Sequence, residues 1–251
     1  MQTVLVAADA CMQFEGVLET ALKLARPQQA TLRGLFVEDL ILLRVAALPF
    51  TQEICLSSAL IRPLNPDDLR RRMRVLADRM RNRLAAAAEQ ARLQWTFQVQ
   101  QGSMIQSVYE NSIDADVILC GWRQITLPQR ASRHTHSRQA PIVVLDDGSA
   151  SSARALAFAR QLRQNGEHRD VVVLALPDAL DEHRNDLEAA AAESPTAWVR
   201  VSPVKSATQL IQEARRLQPW IFLMGRDDQR PGRPELEAWL NQLGCPVAIV
   251  R

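Results

Sequence analysis

Three carboxylates in this sequence follow short apolar runs, at places where a parallel strand would end. Asp9 comes after VLVAA, and the pair Asp146 and Asp147 comes after IVVL and is followed by Gly148 and Ser149. The carboxyl ends of parallel strands line the ligand crevice of open α/β sheets, so these groups could accept hydrogen bonds from a bound ligand. Adjacent residues at a strand end point to opposite sides, so only one of Asp146 and Asp147 can face such a crevice.

Nucleophiles and metal ligands are the other residue types that could do chemistry, and neither is arranged for it. The serines after the acidic pair stand at a helix start, where serine commonly caps the first turn. The nucleophile-elbow pattern GxSxG does not occur in the sequence. His134 and His136 have no cysteine or further histidine at ligand spacing. We therefore expect no catalytic residue and no metal site.

Glycines end two later apolar runs, VILCG at Gly121 and IFLMG at Gly225. A glycine lets backbone N–H groups approach phosphate oxygens closely and form an anion-binding nest. After Gly225 come Asp227 and Asp228, and each carboxylate would repel a triphosphate by about 1 kcal/mol even in a water-like dielectric. The sequence therefore disfavours phosphate binding after the second glycine.

The segment after Gly121 is cationic instead. It contains the arginines Arg123, Arg130, Arg133 and Arg138 together with His134 and His136. Arginine can bind phosphate through its planar fork of donors without a glycine nest. A solvated loop whose charge serves solubility explains the same residues. Both interpretations stay open at this point.

The composition fits a globular protein. Of 251 residues, 47% are hydrophobic and 23% are charged, so the chain can bury a core and remain soluble. A net charge of +2 is too small to argue for nucleic acid, and Glu38, Asp39 and Arg44 interrupt the most apolar stretch. We therefore expect neither a nucleic-acid nor a membrane partner.

The cysteines and the N-terminal residues bear on the compartment. Cys11, Cys55, Cys120 and Cys245 stand singly without a CxxC pair, and we expect reduced, buried thiols. The first residues lead directly into a strand-like run without a basic leader or an apolar signal segment. These features favour a cytoplasmic protein.

In the first half of the chain, strand and helix patterns alternate. The segments TVLVAAD, ATLRGLFVED, WTFQVQQG and DADVILCG are predicted strands. Apolar residues recur at helical spacing before Pro27, which ends the first helix. A second apolar stripe, between Leu69 and Ala87, follows Pro66 and has arginines on its other side as a solvated face. MIQSVYENSI is a short helix, and an insertion of about residues 40–66 separates the second strand from the arginine-rich helix.

The second half repeats this order. PIVVLDDG, DVVVLALPD, AWVRVSP, WIFLMG and CPVAIVR are predicted strands with helices between them. VLVAADAC corresponds to IVVLDDGS, and DADVILCG corresponds to QPWIFLMG. The sequence thus predicts two tandem α/β domains, residues 1–139 and 140–251, with right-handed crossovers between parallel strands. Between Gly121 and Ala140 there is little room for both a helix and a closing strand. The sequence therefore does not decide whether the first domain has a fifth strand of its own.

Together these segments resemble universal stress protein domains. The resemblance rests on VLVAAD followed by a helix, LRGLFVED, GSMIQSVYENSIDADVILCG, VVLDDGSASSARAL and GCPVAIVR, and it covers both halves. It implies a Rossmann-like, five-stranded parallel sheet in each domain. It also implies that some members bind ATP and others do not, and that members commonly dimerise.

The resemblance implies where a nucleotide would bind. The nucleoside would lie against the aspartate after the first strand and the end of the second strand, which here are Asp9, Ala10 and Val37. Asp147 is the matching aspartate of the second half. Phosphates would lie on a glycine-rich loop after the fourth strand, and of that loop this chain keeps only its first glycine, Gly121 or Gly225. We therefore take the ATP motif as degenerate. We expect ATP or AMP to bind, if at all, only in the first domain, through its crevice and Arg123.

Three functions follow from these observations. The leading one is a non-catalytic stress-response protein that binds a ligand or a protein partner, because no catalytic set is visible. The alternative is a sensor that binds a nucleotide in the first domain, and the third is a nucleotide hydrolase. The apolar segment CPVAIVR predicts a homodimer in which the final strands of two chains meet about a two-fold axis. If that edge is covered inside the chain, the two domains form a pseudo-dimer instead.

Overall fold

A computed structural model of the chain describes residues 2–55, 58–122, 140–165, 168–176, 199–226 and 241–251. The strands are β1 (Thr3–Asp9), β2 (Thr31–Asp39), β3 (Gln52–Ile54), β4 (Ile61–Pro63), β5 (Trp95–Gly102), β6 (Val117–Cys120), β7 (Ile142–Asp146), β8 (Val171–Ala175), β9 (Val199–Pro203), β10 (Ile221–Gly225) and β11 (Val247–Val250). The helices are α1 (Glu15–Ala25), α2 (Leu40–Ala46), α3 (Pro66–Gln90), α4 (Met104–Glu110), α5 (Ala150–Gln164) and α6 (Ala207–Leu217), and a short 3₁₀ turn (Arg26–Gln28) follows α1. The helix predicted after DVVVLALPD lies outside the described residues, and of the helix predicted after WIFLMG only the end is described, where Asn241 and Gln242 are helical.

Nine of the described strands form one sheet in the order β5-β2-β1-β6-β11-β10-β7-β8-β9. Every neighbouring pair is parallel except β6 and β11, which are antiparallel with Cys120 opposite Val247 and Val117 opposite Val250. The first half contributes four strands and the second half five, and the first four strands of each half have the same relative order. The α/β class with a mostly parallel sheet is confirmed. The division into two domains at residue 139 stays a prediction.

The sheet differs in one respect from the two separate five-stranded sheets that the sequence predicted. Strand β6 pairs with β1 on one side and with β11 on the other. No fifth strand of the first half can therefore lie beside β6, because the final strand of the second half takes that place.

The same pairing bears on the homodimer expected through the final strands. Both edges of β11 are hydrogen-bonded inside the chain, to β10 and to β6. The expected two-fold contact therefore has no free edge at β11, since its apolar residues are already buried within one chain. Whether the protein forms an oligomer in another way stays a prediction.

Helices cover both faces of the sheet, because successive strand residues point to opposite faces. Val4 and Val6 of β1 belong to an apolar core that α1 and α5 cover, and Leu5 and Ala7 belong to the core on the other face. Strands β7, β8 and β10 have five residues each, and all of these residues are buried. These strands read as continuous apolar runs for that reason.

The predicted helix after Pro66 is present as α3. Asn65 caps it by accepting a hydrogen bond from the Asp67 backbone N–H at 2.8 Å. Its buried face consists of Met73, Ala77, Met80, Leu84 and Ala88. This face agrees with the predicted stripe at its centre and differs at the C-terminal end, where Ala88 is buried rather than Ala87.

The insertion contains a helix and a hairpin, and the sequence pattern did not indicate the hairpin. Helix α2 begins at Leu40, and Asp39 caps it by accepting from the backbone N–H groups of Ile41 and Leu42. Strands β3 and β4 form a hairpin, whose Glu53 is paired with Arg62 and Arg72. No helix in the described part of the chain is long and apolar enough to cross a membrane.

Candidate functional site

The carboxyl ends of the neighbouring strands β2, β1 and β6 lie side by side in the sheet. Asp9 is the register partner of Val37, and Ala7 is the register partner of Cys120, the residue before Gly121. The structure therefore brings Asp9, Val37 and Gly121 to one place, where the sequence put a candidate crevice.

Asp9 holds the turn that follows β1. Its Oδ1 accepts a hydrogen bond from the Cys11 backbone N–H at 2.8 Å, and its carbonyl oxygen accepts from the Met12 N–H at 3.3 Å. The side chain is 6% exposed. Ala10 is half-buried against an apolar cluster beneath α2 and α3. The carboxylate thus has a local structural role at the position where a nucleoside was expected.

The segment between β1 and α1 packs directly on the end of β6. The Gln13 N–H donates to the Trp122 carbonyl oxygen at 2.9 Å. A Cβ built on Gly121 would lie 2.9 Å from Met12 Cβ. Gly121 therefore serves a close approach of two backbone segments. Val37 contributes to the apolar core at 0% exposure, so its side chain is not presented to a ligand.

Trp122 belongs to this site and was missed by the sequence analysis. It is 6% exposed and lies against α1, where a Cβ on Gly16 would come within 2.6 Å of its ring. Its Nε1 has no hydrogen-bond partner among the described residues. Two features of the sequence could have indicated its burial: Trp122 directly follows a glycine that ends a strand, and Gly16 lies in the first turn of a helix. The ring therefore packs against the first turn of α1, beside the end of β6.

The second half repeats the turn of the first. Asp147 Oδ1 accepts from the Ser149 backbone N–H at 3.2 Å, as Asp9 does from the residue two positions later. It also accepts from the Ser149 hydroxyl at 2.6 Å. Ser149 is the N-cap of α5, accepting from the Ser152 N–H at 3.2 Å, as a helix-start serine predicts.

Asp146 is the more deeply buried member of the acidic pair. It is 3% exposed, and its Oδ1 accepts from the Ser152 hydroxyl at 2.7 Å and from the Gly148 N–H at 3.1 Å. The carboxylate is therefore a buried acceptor that ties β7 to the first turn of α5. Asp147, directly after the same strand, is half-buried.

Gly225 lies against the backbone of α5. A Cβ at this position would meet the Ser151 carbonyl oxygen at 2.0 Å and the Ser151 carbonyl carbon at 2.1 Å. The first turn of the helix thus sits on the end of β10, where a phosphate loop would begin. The glycine is required here for packing, which explains its presence without a ligand.

The candidate residues form two groups, which lie at opposite ends of the strands of the sheet. Because β6 and β11 are antiparallel, the strands of the two halves point in opposite directions. One group, at one end of the strands, consists of Asp9, Ala10, Val37 and Gly121. The other group, at the opposite end, consists of Asp147 and Gly225. Arg123, the rest of its cationic segment, and Asp227 and Asp228 lie outside the described residues, so their expected part in phosphate binding or repulsion stays a prediction.

The thiols divide into two kinds. Cys11 and Cys55 are exposed, which corrects the expectation that all four thiols are buried. Cys120 and Cys245 are buried, and burial raises the pKa of the Cys120 thiol to about 12 and that of Cys245 further. The described residues hold no cluster of three or more His, Cys, Asp or Glu side chains that could bind a metal ion.

Solved structures match the chain over nearly its whole length. A universal stress protein from Archaeoglobus fulgidus is 14% identical, with a TM-score of 0.55, 99% of this chain covered and 96% of that one. The fold is similar to that of universal stress proteins. A putative universal stress protein from Pseudomonas aeruginosa is 13% identical, with a TM-score of 0.51, 100% of this chain covered and 93% of that one.

A protein of unknown function from Pseudomonas aeruginosa is also similar, at 12% identity and a TM-score of 0.50, with 100% of this chain covered and 92% of that one. No family model matches the sequence, and no curated protein matches it significantly. At these identities the likeness to solved structures concerns the fold.

Proposed function

We propose that this is a cytoplasmic, non-catalytic protein of the universal stress protein kind, which acts in the stress response by binding a ligand or a protein partner. Its fold, similar to that of universal stress proteins, supports the class. The role of its strand-end polar groups supports the absence of catalysis.

The observation that carries this proposal is how the strand-end carboxylates are used. Asp9, Asp146 and Asp147 each accept hydrogen bonds from the turn or helix that follows them. A catalytic base needs its acceptor within hydrogen-bond reach of a substrate proton. Here the same oxygens stabilise turns and the start of α5, which is a structural use.

One measurement on the full chain tests the absence of catalysis. Phosphate release from ATP with Mg²⁺ is expected to stay at the buffer rate. A saturable release that scales with protein concentration would support the third function, a nucleotide hydrolase, and would overturn the non-catalytic one.

The alternative is nucleotide sensing in the first half, with ATP or AMP as the ligand. Its support is that Asp9, Val37 and Gly121 meet at the carboxyl end of adjacent strands. Arg123 and the cationic segment beyond it would then supply the phosphate contacts.

A thermal-shift screen with ATP, AMP and cyclic nucleotides separates the two. A ligand at a hundredfold excess over its Kd stabilises by about 2.7 kcal/mol. Asp9→Asn and Asp147→Asn are matched variants, since both aspartates cap the same kind of turn. A nucleotide shift that Asp9→Asn removes and Asp147→Asn leaves intact would establish the sensor. The absence of a shift with every nucleotide would count against the sensor.

A further inference from the structure

Strand β5 is an edge of the nine-stranded sheet. It pairs with β2 along its whole length, from Trp95 opposite Leu32 to Gly102 opposite Asp39. Among the described residues its other side has no strand neighbour and no backbone hydrogen bond. An open strand edge is a row of unpaired donors and acceptors that favours pairing with another strand.

The ladder with β2 shows which backbone groups are on the open side. The Leu32 N–H donates to the Gln94 carbonyl oxygen at 2.9 Å, so the even-numbered residues of β5 face β2. N–H and C=O groups alternate in direction along a strand. Those of Trp95, Phe97, Val99 and Gln101 therefore point away from the sheet.

The composition of β5 does not protect this edge. Its sequence WTFQVQQG contains no charged residue and no proline, and it is 8 residues long. The opposite edge of the sheet, β9, is 5 residues long and contains the exposed Arg200 and the final Pro203. Charge, proline and short length are the usual means by which proteins protect a strand edge. The two edges of this sheet are therefore not equivalent.

Val99 lies in the middle of the open edge and is 49% exposed. We propose that β5 pairs antiparallel with β5 of a second copy of this chain, about a two-fold axis at Val99. The two Val99 residues then exchange both backbone hydrogen bonds. Phe97 of each copy lies opposite Gln101 of the other.

A second copy fits this edge better than a charged partner does. Two-fold pairing places the same strand on both sides, and an uncharged strand has no like charges to repel itself. The exposed Val99 side chain gains an apolar neighbour in the other Val99 and loses water. The dimer expected through the final strands has no free edge, since both edges of β11 are paired within the chain.

Light scattering with charge variants tests the proposal. The unmodified full chain is expected to be a dimer at micromolar concentration, and Val99→Lys is expected to be a monomer because two lysines would meet at the axis. Val75→Lys is the matched control, since Val75 is also 49% exposed but lies on α3. The control is expected to remain dimeric. A monomeric unmodified chain, or a Val99→Lys variant that stays dimeric, overturns the proposal.

Cross-linking gives a second test that does not depend on the lysine variant folding well. Directly opposed residues in a hydrogen-bonded antiparallel pair have Cα atoms about 5.5 Å apart, which a disulfide can span. In a background with the exposed Cys11 and Cys55 replaced by serine, Val99→Cys is expected to form a covalent dimer on mild oxidation. Val75→Cys is expected to stay uncrosslinked. Equal cross-linking of both variants, or of neither, contradicts pairing at β5.

Discussion

Gly225 lies so close to the first turn of α5 that a side chain there would meet backbone. Gly225→Ala would place a Cβ 2.0 Å from the Ser151 carbonyl oxygen, and neither backbone segment can move freely. We expect a loss of about 3 kcal/mol or more in the free energy of unfolding, at the upper end of overpacking costs. Gly121→Ala is expected to cost less, because its nearest contacts, Met12 Cβ at 2.9 Å and the Gln13 carbonyl oxygen at 3.1 Å, are longer than those at Gly225.

Urea unfolding of the two variants checks this order. Gly244→Ala is the control, since no atom lies within 4 Å of its added Cβ. Its backbone has φ of +67°, so we expect a cost of about 1 kcal/mol from the left-handed conformation alone. If Gly225→Ala cost no more than Gly244→Ala, the close approach of α5 to β10 would be wrong.

The site residues that could be predicted are those whose role depends on local sequence. A carboxylate after an apolar run, followed by small residues, indicates a strand-to-helix turn, and the turns at Asp9 and Asp147 have this form. Trp122 and the buried role of Asp146 could not be predicted in the same way. Trp122 is buried by α1, and Asp146 by the turn of α5, and those tertiary contacts are not visible in a local pattern.

Among the elements, α5 begins with a cap that has several partners. Ser149 accepts from the Ser152 N–H at 3.2 Å, and its hydroxyl lies 2.6 Å from Asp147 Oδ1 and 2.7 Å from the Ser151 hydroxyl. Ser149→Ala is expected to lower the free energy of unfolding by about 1 to 2 kcal/mol. Ser103→Ala, at the cap of α4, removes a single cap bond of 3.2 Å and is expected to cost less.

Chemical denaturation followed by circular dichroism measures both cap variants. The comparison is informative because each serine is a helix N-cap in extended conformation. An equal cost for the two would mean that the contacts with Asp147 and Ser151 add nothing to the cap.

Regular elements were predictable where one periodicity dominates. The stripes of α1 and α3 and the apolar runs of the sheet follow from burial on one or both faces. In α1 the pattern still missed Thr20, which is 1% exposed and whose hydroxyl is satisfied within the helix by donating to the Gly16 carbonyl oxygen at 2.9 Å. The hairpin of β3 and β4 was not predictable, because Glu53 contacts Arg72 of a different element.

At the scale of the whole molecule, Asp116 joins the start and the end of the described chain. Its carboxylate accepts from the backbone N–H groups of Gln2 and Thr3, and its carbonyl oxygen accepts from the Arg251 N–H at 3.0 Å. Partial burial is the largest single influence and raises the pKa of this carboxyl, but the two N–H groups and nearby positive charges, Arg251 among them, together lower it by more, so the net pKa is below its usual value.

A lowered pKa makes this contact sensitive to acid. The ionised Asp116 stabilises the fold above the pKa of the unfolded chain, about 3.9, and this stabilisation is lost as the pH falls through the lower folded pKa. Asp116→Asn is therefore expected to be less stable than the unmodified protein at pH 7. The difference is expected to shrink as the pH falls below about 4. Urea midpoints at several pH values measure it, and a difference that does not change with pH would contradict the interpretation.

The pairing of β6 with β11 joins the two halves of the sheet. Ile249 of β11 is 3% exposed and opposite Ile118 of β6. Ile249→Ala is expected to lower the free energy of unfolding by about 2 to 5 kcal/mol, as for a buried isoleucine. Ile113→Ala, at a residue 62% exposed, is the control and is expected to change it by about 0.5 kcal/mol or less. Equal effects in urea unfolding would show that the seam is not part of the core.

The sheet order also sets the sequence of events during synthesis. Strand β6 leaves the ribosome long before β11, which must insert between β6 and β10. At about 5–20 residues per second, the apolar edge of β6 waits on the order of 10 s for its partner. During that interval the nascent first half exposes an edge that the finished protein covers. A chain that ends before Val247 is therefore expected to be prone to aggregation, and we expect folding in the cell to depend on translation reaching the final strand.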